Sequence, residues 1–163
     1  MRILGIDPGY AIVGFGVVDY AGASFTAVEY GAFLTEANTP FTRRLCSIND
    51  DMQEVLRHYQ PDCMAIERLY FTTNQKTAID VAQARGILIL AAAEKGIPIF
   101  EYTPLQVKQA VVGYGKAEKK QVMTMTQKIL RLAQIPKPDD AADALAIAIC
   151  HGHSTRGLMQ YQR

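Results

Sequence analysis

Four carboxylates in this chain occupy positions where a carboxylate is energetically expensive. Asp7 closes the apolar run Ile3-Leu4-Gly5-Ile6, and Glu67 closes Met64-Ala65-Ile66. Asp140 and Asp143 lie in Asp139-Asp140-Ala141-Ala142-Asp143-Ala144-Leu145-Ala146-Ile147-Ala148-Ile149, a stretch apolar on nearly every side. Some of these acids have ordinary structural uses. Asp before Pro-Gly often caps a turn, and a Glu at a strand end can simply meet solvent. Asp139 or Asp140, after Pro136-Lys137-Pro138, suits a helix N-cap supported by the macrodipole. Asp143 resists that account, because an ionised carboxylate in an apolar helix must be paired or must hold a metal. Asp140 and Asp143 are three apart and share one helix face. That spacing favours Asp140 as the partner acid and leaves Asp139 open as a ligand.

Gathered in one place, four like charges would force at least one pKa upward unless a cation were bound. Oxygen-only ligands favour Mg²⁺, with Mn²⁺ as a substitute, over zinc. Two such ions per site can clamp the attacking and leaving oxygens of an in-line phosphoryl displacement. On this reading one ion is held chiefly by Asp7 and Asp143 and activates a water. The other, shared by Asp7 and Glu67, stabilises the departing oxygen, and the assignment of acid to ion is open. His58, His151 and His153 are not needed, although His151-Gly152-His153 leaves an adventitious metal ligand open. Cys46, Cys63 and Cys150 are odd in number and contain no CxxC, which suits reduced thiols in a cytosol and argues against a disulfide framework or a zinc site.

The charge balance points to a partner. The chain carries a formal net charge of only +1, but from Lys108 to Lys137 seven basic residues face the single acid Glu118, a net +6. An anionic polymer lying across Lys108, Lys116, Lys119 and Lys120 is the functional reading, and a solvated helix face is the plain one.

The elements that must position these groups follow from periodicity. Arg2 to Asp7 reads as a short buried strand ended by Pro8-Gly9. Ile12 to Tyr20 and Phe25 to Leu34 flank the turn Ala21-Gly22-Ala23-Ser24 and complete an antiparallel meander. Pro40 to Tyr59 places Phe41, Leu45, Ile48, Met52, Val55, Leu56 and Tyr59 at helical spacing, and Pro61 stops it. Cys63 to Ile66 is continuously apolar, as a strand buried on both faces should be. A helix from about Gln75 to Lys95 is closed by Gly96, and Ile97 to Tyr102 is a fifth strand. Helices are then expected over Pro104 to Val112, Lys119 to Ala133 and Asp140 to Cys150. Strands alternating with helices imply parallel crossovers with helices on both faces of one α/β domain covering residues 1–163. If the strands bearing Asp7 and Glu67 are parallel neighbours, their carboxyl ends meet where ligands collect in open sheets.

At 163 residues, 49% hydrophobic and 20% charged, the chain has the composition of a globular protein. The uninterrupted run Ile87 to Ala93 is far below the roughly 20 residues of a membrane span. An acid as early as Asp7 argues against a signal peptide, so the expected setting is cytoplasmic and no membrane is involved.

Several blocks together resemble the RuvC family of Holliday-junction resolvases, within the ribonuclease-H-like superfamily. They are Gly5-Ile6-Asp7-Pro8-Gly9, Ala65-Ile66-Glu67, Gln83-Ala84-Arg85-Gly86, Gln106-Val107-Lys108-Gln109 with Val111-Val112-Gly113, Ala117-Glu118-Lys119, and Asp140-Ala141-Ala142-Asp143-Ala144-Leu145-Ala146. The blocks run in the family's order across the whole chain. The resemblance implies a ribonuclease-H-like fold, with a five-stranded mixed sheet of three antiparallel strands followed by parallel crossovers. It also implies a homodimeric, Mg²⁺-dependent endonuclease that nicks two opposed strands of a four-way DNA junction, leaving 5′-phosphate and 3′-hydroxyl ends, beside a branch-migration helicase complex. The family's four acids fall on Asp7, Glu67, Asp140 and Asp143, and its lysines for DNA or the scissile phosphate on Lys108 and Lys119.

Where many members carry Phe soon after the strand-end Glu, this chain has Tyr70, followed by Phe71. The segment Tyr70 to Lys76 reads as a loop against DNA, with Tyr70 as the wedge that stacks an unpaired base and Lys76 beside it. The helix bearing Ala78, Val81, Ala82, Arg85, Gly86, Ile89 and Ala93 has more apolar surface than one sheet covers. Gly86 inside it is most readily explained by close backbone approach, so this helix is expected at the subunit contact, with ordinary core packing as the alternative. Two rival classes stay open. Asp7-x-Gly9 with Gly14 and Gly16 resembles the phosphate-binding hairpin of sugar-kinase and actin-type ATPases, whose second domain 163 residues cannot supply. A different ribonuclease-H-like nuclease would act on structured RNA or other branched DNA.

Overall fold

A computed structural model describes residues 1–69 and 75–160, the side chains of 75, 76 and 156–160 excepted. The elements run β1 (Arg2–Asp7), β2 (Ile12–Ala21), β3 (Ser24–Leu34), α1 (Phe41–Tyr59), β4 (Cys63–Glu67), α2 (Gln75–Glu94), β5 (Ile99–Tyr102), α3 (Pro104–Val112), α4 (Lys119–Ile129) and α5 (Asp139–Gln160). The expected order of strands and helices is the observed one. The five strands form one sheet in the order β3-β2-β1-β4-β5. β1, β2 and β3 pair antiparallel, while β4 lies parallel to β1, and β5 parallel to β4. The β2–β3 hairpin closes with positive φ at both Gly22 and Ala23, the twist-matched two-residue turn.

Alternation along the strands divides the core in two. Leu4, Ile6, Met64 and Ile66 face one way, into α1 and α2 with Ile48, Met52, Leu56 and Leu88. Ile3, Cys63 and Ala65 face the other way, into the α3–α5 layer with Val107, Val122, Leu145 and Ile149. Helices therefore cover both faces. Among the described residues no helix is long and apolar enough to cross a membrane.

Three boundaries differ from the sequence expectation by two residues or more. β5 starts at Ile99 rather than Ile97, because the Ile97 amide still donates to the Ala92 carbonyl in closing α2. α4 ends at Ile129 rather than Ala133: Leu130 is its C-cap and Arg131 adopts φ 54°, a left-handed stop made without glycine. α5 starts at Asp139 and runs on to Gln160, past Cys150 and Gly152. Gly152 is not a stop, because a Cβ there would press into the Phe25 ring, so the residue serves packing.

Candidate active site

The β1–β4 ladder pairs Ile6 with Ile66, so Asp7 and Glu67 leave adjacent parallel strands at the same end. On its other side Asp7 pairs with Gly14 of β2. The second pair of acids arrives on α5, which packs mainly against β1 and β2. Glycine makes that approach possible. A Cβ on Gly5 would overlap the Ala144 carbonyl oxygen, one on Gly14 the Asp140 carbonyl oxygen, and one on Gly16 the Leu145 side chain. Three glycines on two strands thus let the helix backbone rest on the sheet backbone. Asp140 and Asp143, one turn apart, come down over the end of β1. Gly14 and Gly16, which resemble a phosphate-binding hairpin in sequence, are used here to seat a helix.

The electrostatics follow from this crowding. Burial, and then the neighbouring charges of Glu67, Asp143 and Asp140, push the Asp7 carboxyl up to about 8, against a smaller opposing pull from Lys119. Glu67 is raised as well, first by burial and then by Asp143. Lys119, the first residue of α4, places its ammonium 2.8 Å from an Asp143 carboxylate oxygen. That hydrogen bond and the acids around it hold the Lys119 ammonium above its ordinary range. Asp139 pairs with Lys137 at 2.8 Å, and its carboxyl is lowered first by that bond and also by the charges of Lys137 and Lys119, while it is Asp140 whose charge acts on Asp7.

A cleft of about 260 Å³ opens beside these groups, lined by the charged Glu67, Asp143, Lys119 and Lys108 and by the apolar Val107, Val122, Ala146 and Ile147. Lys116 and Lys120 line a different groove of about 550 Å³, together with Tyr114 and Gln121. The basic segment therefore splits: two lysines face the acids and two do not. Tyr70 lies outside the described residues, as does the side chain of Lys76.

Among the described residues no group of three Asp, Glu, His or Cys side chains is set to hold a metal ion as it stands. Lys119 already occupies one oxygen of Asp143, one of the two acids that line the cleft. Mg²⁺ takes one or two protein carboxylates and fills its shell with water and substrate phosphates. A raised Asp7 among three other acids has the chemistry such an ion satisfies, so the donor set fits an open, all-oxygen site. The His151-Gly152-His153 alternative does not hold. His151 is buried against Tyr102, whose hydroxyl lies 2.8 Å from its Nδ1, and His153 Nδ1 instead lies 3.0 Å from the Ala110 carbonyl. Burial likewise raises the Cys63 thiol to about 11 and that of Cys150 to about 12.

One residue near the site has a role that its sequence position did not reveal. Arg85, expected on the apolar face of α2, donates Nε to the Glu67 carbonyl at 3.1 Å and Nη2 to Glu101 at 2.6 Å. It fixes the end of β4 from which Glu67 projects. The sequence marked Arg85 only as part of the block Gln83-Ala84-Arg85-Gly86, which does not show what its guanidinium touches.

The chain as a whole is similar to proteins of one family. A family model described as crossover junction endodeoxyribonuclease RuvC matches residues 3–151. A crossover junction endodeoxyribonuclease RuvC of Brevibacillus brevis is 59% identical over 93% of this chain and 91% of its own length. The structure of Thermus thermophilus RuvC superposes with a TM-score of 0.90 at 36% identity, covering 96% of both chains. The same protein in complex with a Holliday junction substrate gives 0.89 at 35% identity, again over 96% of both.

Proposed function

The chain belongs to the RuvC family of crossover junction endodeoxyribonucleases, and we propose that it resolves four-way DNA junctions by hydrolysing one phosphodiester in each of two opposed strands. The observation that carries the reading is the gathering of Asp7, Glu67, Asp140 and Asp143 at one end of the sheet, with Lys119 and Lys108 on the adjoining cleft. Those four carboxylates would hold Mg²⁺, with Mn²⁺ as a substitute, and two ions per site suit four acids. When bound, the metal supplies an activated water and neutralises charge on the departing 3′-oxygen, which gives 5′-phosphate and 3′-hydroxyl ends.

The chain's own residues do the rest. Asp7 gives up its proton as the cation loads, the reverse of the state its crowding favours. Lys119 donates from its ammonium to a phosphate oxygen and stabilises the charge that builds there. Lys108, which lines the same cleft, fixes the strand by its backbone. Lys116 and Lys120 hold phosphates farther from the acids. Tyr70 stacks a base unpaired at the crossover, with Lys76 beside it.

Paired nicks require two sites related by a two-fold axis, hence a homodimer. The exposed stripe of α2 supports its use as the contact: Ile79 is 62% and Leu90 53% exposed, and a Cβ on Gly86 would meet nothing within 4 Å. The space over Gly86 is therefore open for a partner helix rather than filled by the chain's own core. Work beside a branch-migration helicase in the cytoplasm belongs to the same reading and rests on the family alone.

The test is incubation of a mobile four-way junction with Mg²⁺, beside linear duplex and an RNA–DNA hybrid. Symmetric nicks in the junction alone are expected. Preferential cutting of the RNA strand would replace this reading with a ribonuclease.

A further inference from the structure

Lys119 has two claims on it. In the reading above, on which this inference rests, Asp143 serves a metal ion and Lys119 serves a phosphate. In the structure the two side chains pair with each other, at 2.8 Å. The carboxylate oxygen that the ammonium holds is not free for a divalent ion, and two cations on one carboxylate repel. The side chain has freedom to leave: it is 57% exposed, on a flexible four-carbon stem. The helix beneath it does not have that freedom. The start of α4 is fixed by reciprocal bonds between Glu118 and Gln121, so any exchange of partners is a movement of the lysine alone. Among the described residues the other lysines nearby are placed differently: Lys137 is paired with Asp139, Lys120 lines the other groove, and Lys108 lines the same cleft without an ion pair to Asp143.

We propose that Lys119 is the resident counter-ion of the free enzyme, occupying Asp143 against the metal until a DNA phosphate draws the ammonium away. Metal and DNA then load cooperatively at this acid, because whatever removes the lysine from Asp143 raises the affinity for the ion, and linkage makes the effect reciprocal. The free protein holds its metal weakly, and the complete centre forms only around DNA.

The experiment is a titration of the DNA-free protein with Mn²⁺, free ion being followed by electron paramagnetic resonance. It compares wild type with Lys119→Met, Lys119→Gln, Lys119→Arg and Lys120→Met, and measures junction cutting at saturating Mn²⁺ alongside. Removing an exposed ion pair of this kind should tighten Mn²⁺ binding by about two- to fivefold in Lys119→Met and Lys119→Gln. The same variants should cut more slowly, so affinity and rate move in opposite directions. Lys119→Arg keeps the pair and should keep the wild-type affinity. Lys120→Met removes the same charge one residue away and should also leave affinity unchanged. Unchanged or weaker Mn²⁺ binding in both neutral Lys119 variants, or an equal gain in Lys120→Met, would overturn the proposal. If wild type cuts junctions normally in that case, the nuclease reading stands without it. A wild type that neither binds Mn²⁺ nor cuts junctions would sink both.

Discussion

The two faces of the sheet are packed with different materials. Against one, α1 and α2 press Ile48, Met52, Leu56 and Leu88 onto Leu4, Ile6, Met64 and Ile66, all fully buried aliphatic side chains. Against the other, α5 lays its backbone and alanines over Gly5, Gly14 and Gly16. Large side chains hold a helix off the sheet and contribute stability through the apolar area they bury. Glycines contribute little area but let the backbones close up. Only on that second face can aspartates, whose side chains are short, reach from a helix to acids at the strand ends. Both faces bury an apolar core, but the backbone-to-backbone approach that positions the acids belongs to the α5 face alone, and perturbing that approach should give a different kind of loss from opening a cavity in the core.

The largest effect is expected from the acid at the centre of the close-packed side. Asp7→Asn should lower single-turnover junction cleavage by at least about 10³-fold, on the order of 4 kcal/mol of transition-state stabilisation. Gel-shift affinity for the junction should hold or improve, because a negative charge facing phosphates is gone. Cleavage near the wild-type rate would break the assignment. Lys119→Ala should cost about 10²-fold in rate and reduce the slope of log affinity against log salt by about one.

The pH dependence of stability sharpens the contrast further. With the Asp7 carboxyl raised to about 8, folding favours its neutral form. The stabilisation is complete below the unfolded value of about 4 and is lost as pH rises through about 8. Thermal melts in chelator should therefore fall in midpoint over that range, and Asp7→Asn should remove much of the fall. At alkaline pH the variant should melt about 4 °C higher than wild type, a gain of about 1–2 kcal/mol. Saturating Mg²⁺ should reverse the wild-type loss. The smallest effect belongs to the distant groove. Lys116→Ala should leave the rate of bound junction within about threefold and reduce the salt slope by about one.

What the sequence revealed follows the same division. Apolar periodicity placed every strand and helix, and four acids in apolar surroundings announced themselves, because an ionised carboxylate beside Ile6, Ile66 or Leu145 needs a reason. The glycines did not. Gly14 and Gly16 on a strand read equally well as a phosphate hairpin, and only the position of α5 decides between the two. Charge counted along the chain put Lys116 and Lys120 with Lys108 and Lys119, yet a run of residues cannot show which lysines face the acids. The helix ends at Ile129 and Gln160 were misjudged for a related reason. Arg131 takes a left-handed turn without glycine, and Gly152 is small for the sake of Phe25 rather than to end a helix.

The glycines under α5 set the geometry of the acids, while the buried aliphatic side chains under α1 and α2 only support it. The direct test compares Gly14→Ala with Leu88→Ala in single-turnover cleavage at saturating Mg²⁺ and enzyme, at a temperature where both are folded. Leu88→Ala should lose about 2–5 kcal/mol of stability and cut within about threefold of wild type. Gly14→Ala, which pushes against the Asp140 carbonyl, should bind the junction normally and cut about 10²-fold more slowly, the cost of an ångström-scale displacement. A Gly14→Ala protein that cuts at the wild-type rate, or a folded Leu88→Ala protein that loses as much rate as Gly14→Ala, would contradict the account.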